Sequence, residues 1–125
     1  MPINFTTTIQ GNTLLVTASG FDESLAQVQE YGMAIIAACL QSCVTRILCN
    51  EVDLEYRLDT LDTFQAAEFI AANAPHVARI AIVCNPKFIE DARFWEDVAV
   101  NRGLTVRMFR DMVAATKWLG EDHTR

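Results

Sequence analysis

The chain opens with two short runs that are rich in β-branched residues and are separated by a polar turn. The runs cover residues 3–8 and 14–18, and the Gln-Gly-Asn segment at residues 10–12 lies between them. β-Branched runs on either side of a glycine-containing turn are typical of a β-hairpin. The sequence therefore predicts a hairpin over residues 3–19.

Helical periodicity follows the hairpin. Between Leu25 and Leu40 the apolar residues recur at roughly the spacing of a helix that buries one face. Asp22 or Ser24 is in position to cap this helix at its N-terminus. Gly32 lies in its middle, where glycine costs up to about 1 kcal/mol relative to alanine. We therefore expect this helix to pack closely against a neighbouring element at Gly32.

The rest of the chain alternates between short apolar runs and amphipathic segments. This alternation predicts strands over residues 46–52, 79–84 and 104–109, and helices over residues 60–74, 88–101 and 111–120. Thr60 or Asp62 is expected to cap the second helix. Repeated βα units of about 30 residues imply parallel strands with right-handed crossovers. The nearly continuous apolar run at residues 79–84 is typical of a central strand, and residues 3–8 predict an edge strand.

The predicted fold class is α/β, with the element order β-β-α-β-α-β-α-β-α. In this fold a mixed, mostly parallel sheet of five strands carries four helices. A chain of 125 residues is long enough for one core. We therefore expect a single domain over residues 1–120 and a short C-terminal tail over residues 121–125. Trp118 and Leu119 are expected to fold back onto the sheet, which makes the last helix part of the core.

Composition and charge narrow the range of partners. Hydrophobic residues make up 51% of the chain, and 16 acidic against 10 basic side chains give a net charge of -6. Binders of nucleic acid and of anionic membranes usually carry a basic surface, so neither partner is expected. The N-terminus lacks the features of a signal peptide, and the longest apolar window, Met33–Leu40, is too short to span a bilayer. We expect a cytoplasmic protein with no membrane span.

Four segments in the second half of the chain resemble a known family. Residues 58–64 lead into the second predicted helix, and residues 79–83 form the predicted central strand. Residues 97–109 contain Val-Asn-Arg-Gly, and residues 115–119 end in Trp-Leu. These segments resemble the SpoIIAA-like group of small bacterial proteins within the STAS-like superfamily. The resemblance implies the fold of anti-sigma factor antagonists and a non-enzymatic regulatory or protein-interaction module with an unidentified protein partner.

The same resemblance draws attention to the start of the second helix. In anti-sigma factor antagonists the loop at this place carries an Asp-Ser dipeptide whose serine is phosphorylated by a partner kinase. The present chain has no serine there but has Asp59, Thr60, Asp62 and Thr63. A phosphate at a helix N-terminus is favoured by the free N–H groups and the helix dipole. The same residue types are also ordinary N-caps, so a phosphorylation or partner loop and simple capping both stay open.

No complete catalytic or metal-binding set is visible. The cysteines lie in apolar segments and are expected to be reduced core thiols: Cys39, Cys43, Cys49 and Cys84. Cys39 and Cys43 share a helical face, but a structural zinc site requires two further ligands. His76 and His123 do not supply them at a suitable spacing. The sequence therefore predicts no catalytic residue, no cofactor and no metal.

Carboxylates alternate at the end of the third predicted strand, at Glu51, Asp53 and Glu55. Ligands of open α/β sheets tend to bind beyond the carboxyl ends of the strands, which allows an acidic pocket here. Alternation along a strand also places side chains on one solvated face, and this is the interpretation that we favour. An enzyme that uses the acidic strand end, or Cys84 next to Asn85, is a further hypothesis for the function.

The adjacent residues Phe94 and Trp95 lie on the third predicted helix. Neighbouring side chains on a helix diverge by about 100°, so one of the two is expected to face the core and the other a partner. We therefore predict a homodimer whose interface uses this helix. The alternative is a monomer in which Trp95 lies flat over the domain's own helices.

The aromatic and apolar content also supports an alternative function. The chain could be a small hydrophobic-ligand or lipid-binding domain, since seven Phe, two Tyr and two Trp exceed what one small core obviously needs. Such a function requires a cavity on the order of several hundred Å3.

Overall fold

The computed structural model describes residues 3–75 and 78–120. Within these residues the strands are β1 (Ile3–Gln10), β2 (Thr13–Phe21), β3 (Arg46–Glu55), β4 (Arg79–Cys84) and β5 (Thr105–Phe109). The helices are α1 (Leu25–Ser42), α2 (Thr60–Asn73), α3 (Ile89–Asn101) and α4 (Met112–Gly120). None of these helices is long and apolar enough to cross a membrane. His76, His123 and the predicted tail at residues 121–125 lie outside the described residues.

The strands form one sheet with the spatial order β1-β2-β3-β4-β5. β1 runs antiparallel to β2, and every other pair of neighbours is parallel. β1 is therefore an edge strand, and β4 lies between β3 and β5. The predicted α/β fold with a mixed, mostly parallel sheet is confirmed.

Helices cover both faces of the sheet. On one face α1, α2 and α3 pack against apolar strand residues that include Ile47, Ile80 and Val106. The other face carries a smaller cluster, to which the strands and α4 contribute Leu48, Ala81, Val83, Ala115 and Leu119. Right-handed crossovers that step in one direction place their helices on the same face. α4 follows the last strand and is free to cover the opposite face.

The last helix belongs to the core, as predicted. Leu119 is buried, and Trp118 is half-buried with its ring centroid 5.8 Å from that of Phe109. The Arg79 guanidinium donates a hydrogen bond to the Leu119 carbonyl oxygen at 3.0 Å. These contacts join the end of α4 to the start of β4.

The expected close contact at Gly32 is confirmed. Gly32 of α1 lies against Ile70 of α2, and a methyl group placed on Gly32 would overlap the Cδ1 atom of Ile70. Glycine at this position therefore lets α1 and α2 approach each other. The contact accounts for the presence of a poor helix former in the middle of a long helix.

The helix caps differ in detail from the prediction. Ser24, rather than Asp22, caps α1, because its hydroxyl accepts a backbone hydrogen bond from the first turn at 3.3 Å. The expectation that Thr60 or Asp62 caps α2 is wrong. Asp59 is the cap, since its Oδ1 accepts a hydrogen bond from the Asp62 N–H at 2.8 Å. A carboxylate one position earlier satisfies a free helix donor and leaves Thr60 as the first helical residue.

Candidate functional site

A cavity of about 120 Å3 lies between the sheet and the helices α1, α2 and α3. Strand residues such as Ile47, Ile80 and Ile82 form one wall, and helix residues such as Ile35 and Ile70 form the opposite wall. The surface that surrounds the cavity is therefore mostly apolar.

The cavity extends toward the carboxyl ends of the parallel strands. There its lining includes Leu58 and Thr63, near the start of α2, and Asp91, in the first turn of α3. Asp91 is exposed, so the cavity approaches solvent between the N-termini of α2 and α3. This edge of an open α/β sheet is the usual place for a ligand.

The size of the cavity limits what it can hold. Its volume of about 120 Å3 is below the several hundred Å3 of a typical ligand pocket. It is close to that of an engineered protein cavity of about 150 Å3 that binds benzene. A wider depression of about 330 Å3 lies at the α4 face, bounded by Gly120, the last described residue. The interior cavity therefore suits a small molecule and not a lipid with long chains.

β3 contains a β-bulge near its carboxyl end. Thr17 of β2 is paired with Asn50, but Ser19 is paired with Asp53, so β3 has one more residue than β2 between these pairs. Within the bulge the Asn50 side chain accepts a hydrogen bond from the Val52 N–H at 3.2 Å. An extra residue exchanges the two faces for every side chain that follows it.

The bulge separates the carboxylates that alternate in the sequence. Glu51 lines the cavity and is only 7% exposed, whereas Asp53 and Glu55 are exposed. Leu54 is the next buried residue after Glu51. The prediction of one common solvated face is therefore wrong for Glu51, which shares the helix-covered face with Ile47 and Cys49, and the extra residue removes Asp53 and Glu55 from that face.

The carboxyl group of Glu51 is held by two tyrosines. The hydroxyl of Tyr31, on α1, donates to Oε2 at 2.7 Å, and the hydroxyl of Tyr56, just after β3, donates to Oε1 at 2.6 Å. These are the two tyrosines of the chain. Burial raises the pKa of Glu51, and the two hydrogen bonds oppose this rise because they favour the ionised form.

Asp22 is a second buried acid on the cavity. The backbone N–H of Arg57 donates to Oδ1 of Asp22, and the Asp22 N–H donates to the Glu55 carbonyl oxygen at 3.1 Å. These bonds join the segment after β2 to the segment after β3. Burial raises the pKa of Asp22, and the hydrogen bond from Arg57 opposes the rise. Glu51 and Asp22 therefore place two carboxyl groups with raised pKa values on one cavity.

The residues predicted as a phosphorylation or partner loop lie together at the start of α2. Asp59 is the N-cap, and the Thr63 hydroxyl donates to the Asp59 carbonyl oxygen at 2.8 Å. Thr63 is half-buried beside the cavity, whereas Thr60 is exposed. The two threonines therefore differ in accessibility and in the use of their hydroxyl groups.

An apolar residue stands between the polar residues of this turn. Leu61 is 63% exposed, the second highest value among the large apolar side chains of the described residues. Asp59 and Asp62 lie on either side of it in the sequence. We call Asp59, Thr60, Leu61 and Asp62 the α2 N-terminal surface.

Phe94 and Trp95 point in different directions on α3. Trp95 packs against the main core and lines the cavity, whereas Phe94 is 37% exposed. Of the two residues predicted at an interface, Phe94 is thus the one that a second molecule could contact. Trp95 lies among the domain's own elements.

The cysteines are free thiols. Cys39, Cys49 and Cys84 are buried, as predicted, whereas the prediction of a core thiol is wrong for Cys43, which is exposed at the end of α1. Burial raises the pKa of each of the three buried thiols, which disfavours the reactive thiolate. Among the described residues, no three His, Cys, Asp or Glu side chains form a group suited to a metal ion.

Sequence reasoning missed Tyr31, Tyr56 and Asp22 as parts of this site. Tyr31 is 20 residues from Glu51 along the chain and meets it only because α1 packs over β3. One signal was present: the chain has two tyrosines against seven phenylalanines. Buried tyrosine hydroxyls need a polar partner, and the buried carboxyl group of Glu51 supplies it.

The sequence matches no family model and no curated protein. Its structure is similar to the crystal structure of an anti-sigma factor antagonist from Mycobacterium paratuberculosis, with a TM-score of 0.67. The alignment covers 95% of each chain at 8% sequence identity. At this identity the similarity is one of fold.

Proposed function

We propose, from the premise that this chain has the STAS-like fold, that it is a non-enzymatic regulatory module that binds a protein partner in the cytoplasm. The similar solved structure is that of an anti-sigma factor antagonist, so the class of partner that we infer is another protein. The raised pKa values of the buried thiols also count against a cysteine nucleophile.

The α2 N-terminal surface is the binding site that we infer for this partner. The observation that carries the proposal is the 63% exposure of Leu61 on the first turn of a helix. An apolar side chain framed by acidic residues resembles the centre of a protein interface, where an apolar anchor is surrounded by a polar rim. We expect the partner to offer an apolar pocket with basic groups around it.

Thr60 is the residue that we assign to regulation by phosphorylation. Its side chain is exposed, whereas the Thr63 hydroxyl already donates to the Asp59 carbonyl oxygen. A phosphate on Thr60 would add a charge of about -1.5 to -2 directly beside Leu61. It would change the affinity for the partner without changing the fold.

Capture from a lysate of the native host, at physiological salt, tests this proposal. We expect the wild-type chain to retain a specific protein and Leu61→Glu to retain at least about tenfold less of it, because loss of an interface anchor has an effect of this size. Val113→Glu is the matched control, since Val113 is 80% exposed on α4, across the sheet.

Two results would contradict the proposal. One is that no protein is retained by the wild-type chain. The other is that Leu61→Glu retains as much partner as Val113→Glu. Thr60→Glu is expected to change capture in the same assay, while Thr60→Val, which replaces the hydroxyl group by a methyl group, is expected to leave it nearly unchanged.

We also propose that the protein forms a homodimer through the outward side of α3. Phe94 supplies the exposed aromatic ring, and a credible interface needs roughly 1,000 Å2 of buried surface. Light scattering at high micromolar concentration is expected to give twice the chain mass of 14.0 kDa. Phe94→Ala is expected to halve this mass, and the control Leu40→Ala, on α1, is not. A wild-type mass near 14.0 kDa would end the dimer proposal.

A further inference from the structure

We propose that the cavity between the sheet and α1, α2 and α3 binds a small apolar amine. The ammonium group would lie at Glu51, and the hydrocarbon part would lie among the apolar walls. This proposal does not depend on the protein partner, because it concerns the interior of the domain.

The charges around the cavity select for a cation. The lining includes three acidic residues, Asp22, Glu51 and Asp91. Among the described lining residues none is Lys, Arg or His. Charges of one sign on a cleft with apolar walls attract ligands of the opposite sign and repel those of the same sign. A fatty acid or a phosphate ester would therefore meet repulsion at the mouth and at the polar end.

Glu51 has the capacity to bind an ammonium group. Each carboxylate oxygen can accept two hydrogen bonds, and each one accepts a single hydrogen bond from a tyrosine in this structure. Two ion pairs occur among the described residues, and neither includes Glu51 or Asp22. The charge of Arg57 lowers the pKa of Asp22, whereas no described cation acts in this way on Glu51. A buried carboxylate is costly unless it is paired, so a ligand cation would supply a favourable interaction that Glu51 lacks.

The tyrosines fit the same ligand. The hydroxyl groups of Tyr31 and Tyr56 hold the carboxyl group of Glu51, and both tyrosines line the cavity. The polar end of the cavity therefore combines a carboxylate with two hydroxyl oxygens, each of which can also accept a hydrogen bond from an ammonium group.

The volume sets the size of the amine. A cavity of about 120 Å3, compared with about 150 Å3 for a cavity that binds benzene, accommodates a branched amine with a short hydrocarbon chain. Isoamylamine has this size. Isoamyl alcohol and isovalerate have the same carbon skeleton, but the alcohol is neutral and isovalerate is an anion. Comparison of the three compounds therefore distinguishes the effect of ligand charge from that of ligand shape.

Calorimetric titration of the full chain with each compound at neutral pH tests the proposal. We expect isoamylamine to bind, isoamyl alcohol to bind at least about tenfold more weakly, and isovalerate not to bind. In Glu51→Gln the preference for the amine over the alcohol is expected to disappear. The control Asp97→Asn removes an exposed carboxylate of α3 outside the lining, and it is expected to leave the preference unchanged.

Several outcomes would overturn the proposal. For the wild-type chain, these are the absence of isoamylamine binding, binding of isoamyl alcohol as tight as that of the amine, and binding of isovalerate tighter than that of the amine. For the variants, they are a preference for the amine over the alcohol that survives in Glu51→Gln or is lost in Asp97→Asn. The comparison of the three compounds on the wild-type chain does not depend on the folding of any variant. The glutamine side chain can still bond with both tyrosine hydroxyls, so Glu51→Gln is expected to fold.

Discussion

Truncation of the chain after Phe109 is expected to abolish cooperative unfolding. Among the described residues, α4 is the element that covers the second face of the sheet, where Leu48, Ala81 and Val83 lie. Without α4 these strand residues face water, and each large apolar side chain that is exposed costs about 1.5 to 3 kcal/mol. A domain of this size is stabilised by only about 5 to 15 kcal/mol in total.

A single substitution in α4 measures how much this helix contributes to the stability of the domain. Leu119 is buried against the sheet, so Leu119→Ala is expected to lower the free energy of unfolding by about 2 to 5 kcal/mol. Val113→Ala is the matched control, because Val113 lies on the same helix and is exposed. Its effect is expected to stay within about 0.5 kcal/mol. Urea denaturation followed by circular dichroism measures the free energy of unfolding of both variants. For the truncated chain, an unchanged melting temperature would show that α4 is dispensable.

The second large effect is expected at Glu51. Tyr31→Phe removes one of the two hydrogen bonds to a buried carboxyl group and leaves its oxygen without a donor. Hydrogen bonds to charged groups contribute about 1.5 to 3 kcal/mol, so the free energy of unfolding is expected to fall by this amount at neutral pH. Tyr56→Phe is expected to act in the same way, and urea denaturation of both variants checks it. If both variants lose less than about 0.5 kcal/mol of unfolding free energy, the hydrogen bonds between the two tyrosines and Glu51 contribute little to stability.

The pH dependence of stability gives this cluster an independent signature. Burial raises the pKa of Glu51 above its ordinary value of 4.5, so the folded chain binds the proton more tightly than the unfolded chain. Stability is therefore expected to fall as the pH rises from about 4.5 through the raised pKa. Asp22 contributes in the same direction, since burial also raises its pKa. Glu51→Gln is expected to show a shallower fall over this range, and an identical profile in both proteins would contradict the assignment.

The fold could be predicted from the sequence because the pattern repeats. The β-branched hairpin, the regular βα units and the apolar run at Arg79–Cys84 each indicated one arrangement, and they agreed with one another. Gly32 was informative for the opposite reason. A residue that is unfavourable in a helix indicated a close contact with a neighbouring element, and Ile70 of α2 makes this contact.

The site could not be predicted because two of its determinants are not local. The bulge that removes Asp53 and Glu55 from the face of Glu51 depends on how β3 pairs with β2, and the alternation of carboxylates in the sequence suggests a regular strand instead. Tyr31 and Tyr56 meet at Glu51 only after α1 has packed over the sheet. The wrong prediction of the α2 cap, which is Asp59, has a local cause, since neighbouring Asp and Thr residues are all suited to the same capping position.

Hydrogen–deuterium exchange of the chain, free and saturated with the captured partner, tests most directly whether this is a binding module that acts through the start of α2. The amides of residues 59–64 are expected to exchange more slowly in the complex, while those of α4 are expected to keep their rates. Slower exchange confined to α4 or to β1, with residues 59–64 unchanged, would contradict the assignment of the binding site to the α2 N-terminal surface.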